Sequence, residues 1–177
     1  HHSAEFFNQL SESTLKNLKI IYPIRNAYDT LLSNFHLFNA YQWHEGPKAK
    51  TPLELIEAPI TSQMRRHYQS DHGSIFETWA QHCKHWLQFA KENMEILIVK
   101  YENLEHEFES VIKRNLDHIG VHSPNTLVVP SKTEDVIVPT VKSIINKPDA
   151  IALAKAISAK ASLYPELPKV LFRAPNF

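Results

Sequence analysis

Arg25, Asn26, Asp29 and Ser33 carry the clearest chemistry in this sequence. An arginine offers up to five N–H donors in a planar fork suited to phosphate, and a serine adds a hydroxyl. Asn26 is a good N-cap, and Asp29 three residues on can complete an acidic capping box. Ser33 falls about two turns into the helix that such a cap would open, on roughly the face that carries its start. A guanidinium, a hydroxyl and a helix N-terminus meeting at one spot make a phosphate site. The plainer alternative is an arginine satisfied by a surface carboxylate and a serine exposed on a helix.

The elements that must position these groups are legible around them. Ile20, Ile21, Tyr22 and Ile24 form an apolar run with β character, and Leu31, Leu32, Phe35 and Phe38 then recur at helical spacing. Strand, sharp turn and helix follow, with Arg25 at the carboxyl end of the strand, where open α/β sheets bind ligands. Pro23 cannot donate to a ladder and belongs at an edge or strand end. Along the chain the pattern predicts a helix over 3–16 from Ser3, a strand over 19–24 and a helix over 27–40. A long excursion over 41–72 holds a short helix near Leu53–Glu57. A helix over 74–92, a strand over 95–101 and a helix over 104–119 come next. Residues 121–148, with four prolines (Pro124, Pro130, Pro139, Pro148), read as an extended arm, and Asp149 as the cap of a last helix over 149–162. Strands alternating with helices point to one α/β domain over 1–177, with a parallel sheet flanked by helices.

Three blocks resemble the sulfotransferases that use 3′-phosphoadenosine 5′-phosphosulfate (PAPS). Lys19 to Phe38 is similar to the family's 3′-phosphate-binding segment, with Arg25, Asn26, Asp29 and Ser33 all matching. Gly73-Ser74 with Trp79, His82 and Trp86 resembles its tryptophan-bearing helix, although here the Gly-Ser pair stands farther ahead of the first tryptophan. Ile96 to Leu104, containing Tyr101-Glu102-Asn103-Leu104, resembles its later strand, which is followed by an amphipathic helix closing at Ile119-Gly120. Together the blocks cover about residues 15–120.

The resemblance implies a P-loop-like sulfotransferase architecture and in-line transfer of a sulfuryl group from PAPS to a hydroxyl or amine. Arg25 and Ser33 would grip the 3′-phosphate and Tyr101 would contact the nucleotide; read alone, Tyr101 is equally an aromatic cap at the core rim. The family's donor loop, resembling Pro-Lys-Ser-Gly-Thr-Thr, has no counterpart among Gly46, Gly73 and Gly120. The domain is therefore expected to be incomplete at its N-terminus, and residues 1–177 alone to transfer no sulfate. An uncovered strand edge beside Ile20–Ile24 makes a homodimer one expected form. In the family a histidine ahead of this strand is the proposed general base, and His2 stands 17 residues before Lys19. Imidazole suits that role at neutral pH. The other reading of His1-His2 is a purification-tag remnant.

Composition excludes more than it assigns. Lys and Arg number 19, Asp and Glu 19, so no basic surplus argues for nucleic acid or an anionic membrane. No apolar run approaches the ~18 residues of a membrane span, and no signal-peptide pattern opens the chain. The single Cys83, within a helical pattern, favours a reducing, cytoplasmic setting and a core thiol. His82 and His85, with His67 and His72 nearby, suggest a metal half-site, but no carboxylate or cysteine set completes it, and no metal is expected. Trp79 and Trp86, seven residues apart, read as core anchors. The acceptor, whether small molecule, carbohydrate or peptide, is not encoded in any motif. Two rivals remain: a catalytically inactive scaffold of the same fold, and a P-loop nucleotide kinase.

Overall fold

The computed structural model of the chain describes residues 7, 9–40, 46–60, 73–92, 95–122 and 145–174. The elements are α1 (Glu12–Lys16), β1 (Ile20–Ile24), α2 (Ala27–Ala40), α3 (Pro52–Glu57), α4 (Ile75–Glu92), β2 (Ile96–Lys100), α5 (Tyr101–His106), α6 (Phe108–His118) and α7 (Lys147–Lys160). Short 3-10 turns follow at Ala161–Leu163 and Lys169–Phe172. The chain divides into two compact units, one built from Asn26–Lys84 and Pro139–Phe177, the other from His2–Arg25 and His85–Val138.

The helices of the first unit start where their caps dictate. Asp29 N–H donates to Asn26 Oδ1 at 2.8 Å, and Asn26 Nδ2 donates to Asp29 Oδ2 at 2.8 Å. This fixes the first turn of α2 and satisfies a donor that would otherwise be orphaned. Ser74 and Glu77 repeat the device at α4, each side chain accepting the other's backbone N–H at 3.2 and 2.9 Å. Tyr28, Leu31, Leu32 and Phe38 of α2, Leu55 and Ile56 of α3, Phe76 of α4, and Leu153 and Ile157 of α7 are buried. Each such side chain contributes about 1.5–3 kcal/mol by leaving water. α3 packs on α2 and α7, and Lys160 at the end of α7 reaches Glu57 of α3 at 2.6 Å. Tyr164 packs edge-on against Phe76, with centroids 5.9 Å apart. Burial, then the charges of Glu77, Glu166 and Glu57, push its hydroxyl above the usual tyrosine range.

The second unit holds the parallel pair β1–β2, in register Ile20↔Ile96 through Ile24↔Lys100. Tyr22 stacks on Trp86 with centroids 4.6 Å apart, and Phe7 and Phe89 close the cluster at 5.4 and 6.1 Å from Trp86. Leu15, Ile20 and Ile96 pack against the same cluster. α5 and α6 both pack on β2, and Val111 of α6 is buried.

The expected parallel strands and the helices α2, α3 and α4 are present to within a residue or two of the spacing-based bounds. Four expectations are corrected. The helix expected over 3–16 is interrupted at 9–11, and Ser11 caps a new helix by accepting from Thr14 N–H. The helix expected over 104–119 is two helices, because Glu107 adopts φ −132°, ψ 36° and breaks the run. The strand ends at Lys100, so Tyr101 opens α5 instead of ending β2. The last helix is capped by Asn146, with Asp149 donating its N–H to Asn146 Oδ1 at 2.9 Å from the third helical position. Lys147 and Pro148 therefore belong to α7 and not to the arm; proline's fixed φ and missing N–H suit a first turn. The rest of the arm, over 123–144, lies outside the described residues. The two tryptophans do serve as anchors, in different clusters: Trp79 meets Phe76 and Phe172, Trp86 the aromatics of the second unit.

Candidate functional site

β1 and β2 run parallel, so both deliver their following residues to the same end of the pair, where parallel sheets hold ligands. The terminal register pair is Ile24↔Lys100, which makes Arg25 and Tyr101 the next residue on each strand. The guanidinium carbon of Arg25 lies 4.6 Å from the centroid of the Tyr101 ring. At that distance the ring's negative face attracts the cation, by about 0.5–1 kcal/mol at a partly exposed site. A guanidinium carries five N–H donors, more than one ring contact can use. The pair can thus be held in place and still present a charged fork to an anion.

Arg25 is half-buried and Tyr101 is 41% exposed, so part of the Tyr101 side chain remains in contact with solvent. A purine could pack on an exposed tyrosine at little desolvation cost. Lys100, exposed at the end of β2, adds positive charge beside the pair. Arg25 and Tyr101 are the two expected site residues that the structure brings together. Ser33 is exposed on α2, in the other compact unit, seven residues after the cap Asn26 and hence on the cap's side of that helix. Thr30 Oγ1 donates to the Asn26 carbonyl at 2.7 Å, which further pins the first turn. His2, the expected general base, lies outside the described residues, as do His67 and His72. Among the described residues no three His, Cys, Asp or Glu side chains are grouped to hold a metal ion. No described helix is long and apolar enough to cross a membrane.

A family model described as "Sulfotransferase domain" matches residues 5–144. Among curated proteins the chain is similar to the 3-beta-hydroxysteroid sulfotransferase of Cavia porcellus, at 24% identity over 102 residues. It is also similar to the 3-alpha-hydroxysteroid sulfotransferase of the same species, at 24% over 102 residues, and to Sulfotransferase 1E1 of Rattus norvegicus, at 27% over 104 residues. These alignments cover 58 to 59% of this chain and 31% of each relative, so the chain spans about a third of their length. No solved structure matches it significantly.

Proposed function

The chain belongs to the sulfotransferase domain family, and from that premise we propose that it holds the nucleotide of PAPS in an enzyme that moves a sulfuryl group to a hydroxyl or amine. The observation that carries this reading is the Arg25–Tyr101 pair at the carboxyl end of two parallel strands. Its side chains suit the ligand: a guanidinium for a phosphate dianion and a partly exposed aromatic ring for a base.

In this reading Arg25 and Ser33 hold the 3′-phosphate, Arg25 by charge-assisted hydrogen bonds and Ser33 by its hydroxyl. Tyr101 orients both the nucleotide and the Arg25 fork. PAPS supplies the activated sulfuryl group, and the chain's part is to fix the donor's position, which removes much of the entropy cost of an in-line displacement. A histidine, His2 in this chain, takes the acceptor's proton. The surrounding architecture is P-loop-like, and the lone buried Cys83 fits a cytoplasmic setting. The acceptor class is a hydroxylated or amino small molecule, carbohydrate or peptide, and the protein works as a homodimer or beside further strands of its own sheet.

Nucleotide discrimination tests the proposal. The full chain should bind adenosine 3′,5′-bisphosphate more tightly than adenosine 5′-phosphate, and Ser33→Ala should lower only the former affinity, by about fivefold. Equal affinity for the two nucleotides in calorimetry would overturn it.

A further inference from the structure

Nothing local fixes the register of two parallel strands whose paired residues stand 76 positions apart. A hairpin would set it by its turn, but a parallel pair has no such device. The apolar pattern is a weak guide as well. Ile20-Ile21-Tyr22 faces Ile96-Leu97-Ile98, and a two-residue slip toward the end of β2 would keep each side chain on its own face, with Ile20 against Ile98, Ile21 against Val99 and only Tyr22 set against a polar residue, Lys100. Such a slip moves Arg25 along Tyr101 by about 6.6 Å, at ~3.3 Å per residue. The present 4.6 Å separation would be lost, since cation–π attraction fades beyond ~6 Å.

His118 stands where that slip would be felt. It is the last residue of α6, and its Nε2 lies 3.1 Å from the carbonyl oxygen of Ile20 and 3.1 Å from that of Glu95. Both partners are acceptors, so Nε2 carries the proton and shares it between the entrances of the two strands. Glu95 O also accepts the first ladder bond, from Ile20 N–H at 2.9 Å. The imidazole is half-buried, whereas the nearby Lys19–Glu95 ion pair is exposed and open to screening by salt. The backbone beneath His118 is itself fixed. Val121 N–H donates to Leu116 O at 2.9 Å and Gly120 N–H to Asp117 O at 3.1 Å, and Gly120 takes φ +76°, the left-handed close of a helix.

We propose that His118 is a positioning residue: its shared Nε2–H locks β1 to β2 in register and thereby sets Arg25 over Tyr101 at the far end of the strands. The lock itself stands on geometry alone, and only its effect on ligand affinity rests on the nucleotide reading above.

Two polar variants of the full chain test it. His118→Gln carries an N–H donor at nearly the reach of Nε2, whereas the shorter amide of His118→Asn falls short of both carbonyls. The side-chain NMR signals of Arg25 should be shifted upfield by the Tyr101 ring in the native chain and in His118→Gln. In His118→Asn that shift should collapse. Affinity for adenosine 3′,5′-bisphosphate should fall about fivefold in His118→Asn and recover in His118→Gln. Combined with Arg25→Ala, the His118→Asn change should cost less than twofold. An undiminished ring-current shift in His118→Asn overturns the proposal, as do fully multiplicative losses in the double variant. If the native chain shows the ring-current shift but binds no nucleotide, the functional reading fails and the NMR comparison still decides the role of His118.

Discussion

Arg25→Ala separates what the arginine does for the fold from what it does for a ligand. In the unliganded protein the guanidinium sits 4.6 Å from the Tyr101 centroid, a contact worth about 0.5–1 kcal/mol at partial exposure. Truncation should therefore lower unfolding free energy by that amount, a small loss readable in urea melts. For the ligand the stake is larger. A charge-assisted hydrogen bond to phosphate contributes about 1.5–3 kcal/mol. Affinity for adenosine 3′,5′-bisphosphate should then fall by about 10- to 150-fold. Adenosine 5′-phosphate lacks the 3′ group, so its affinity should change by no more than the lost stacking support, about fivefold at most. Arg25→Lys sharpens the comparison, because it keeps the charge and loses the bidentate fork, and it should recover only part of the loss. Calorimetry on the full chain with both nucleotides gives the two ratios directly. Equal losses for the two nucleotides would refute the assignment of Arg25 to the 3′-phosphate, however large those losses were.

Asn26→Ala removes the side chain that accepts from Asp29 N–H, and should cost about 1 kcal/mol of stability, measured by chemical denaturation. Asn26→Asp, which can still accept that bond, should cost less. Stability should also fall on the alkaline side. Burial holds the hydroxyls of Tyr28 and Tyr164 above their ordinary value of 10.0, with help from Asp29 for the first and from Glu77, Glu166 and Glu57 for the second. A group whose folded pKa is raised gives stability that is complete below the unfolded value and lost as pH rises through the folded one. Melting temperature should therefore drop from about pH 10 upward, and Tyr164→Phe should flatten that drop; an unchanged slope would show that Tyr164 titrates alike in the folded and unfolded chain.

Much of what is local in this protein could be read from its residues. α2 begins and ends where Asn26 and the spacing of Leu31, Leu32, Phe35 and Phe38 require, because a helix is made of bonds four residues apart and a cap three residues away. Gly120 likewise marks the end of α6, since only a residue free to take φ near +76° closes that turn without strain. The parallel pairing followed from strands separated by helical segments.

Other features depend on partners distant in sequence, and those only the tertiary structure supplied. Tyr101 lay at the end of an uninterrupted β-favouring run, and only the packing of α5 and α6 on β2 decided that the strand stops one residue earlier. Trp79 and Trp86 share a helical face by spacing, yet they anchor different clusters because Phe172 meets one and Tyr22 the other. A lone histidine at a helix end gave no signal of its own. The place of His118 became visible once two strands brought the carbonyls of Ile20 and Glu95 to the same nitrogen. Propensity and capping act within a few residues, whereas register and ring contacts are settled by whichever surfaces fit when the chain closes on itself.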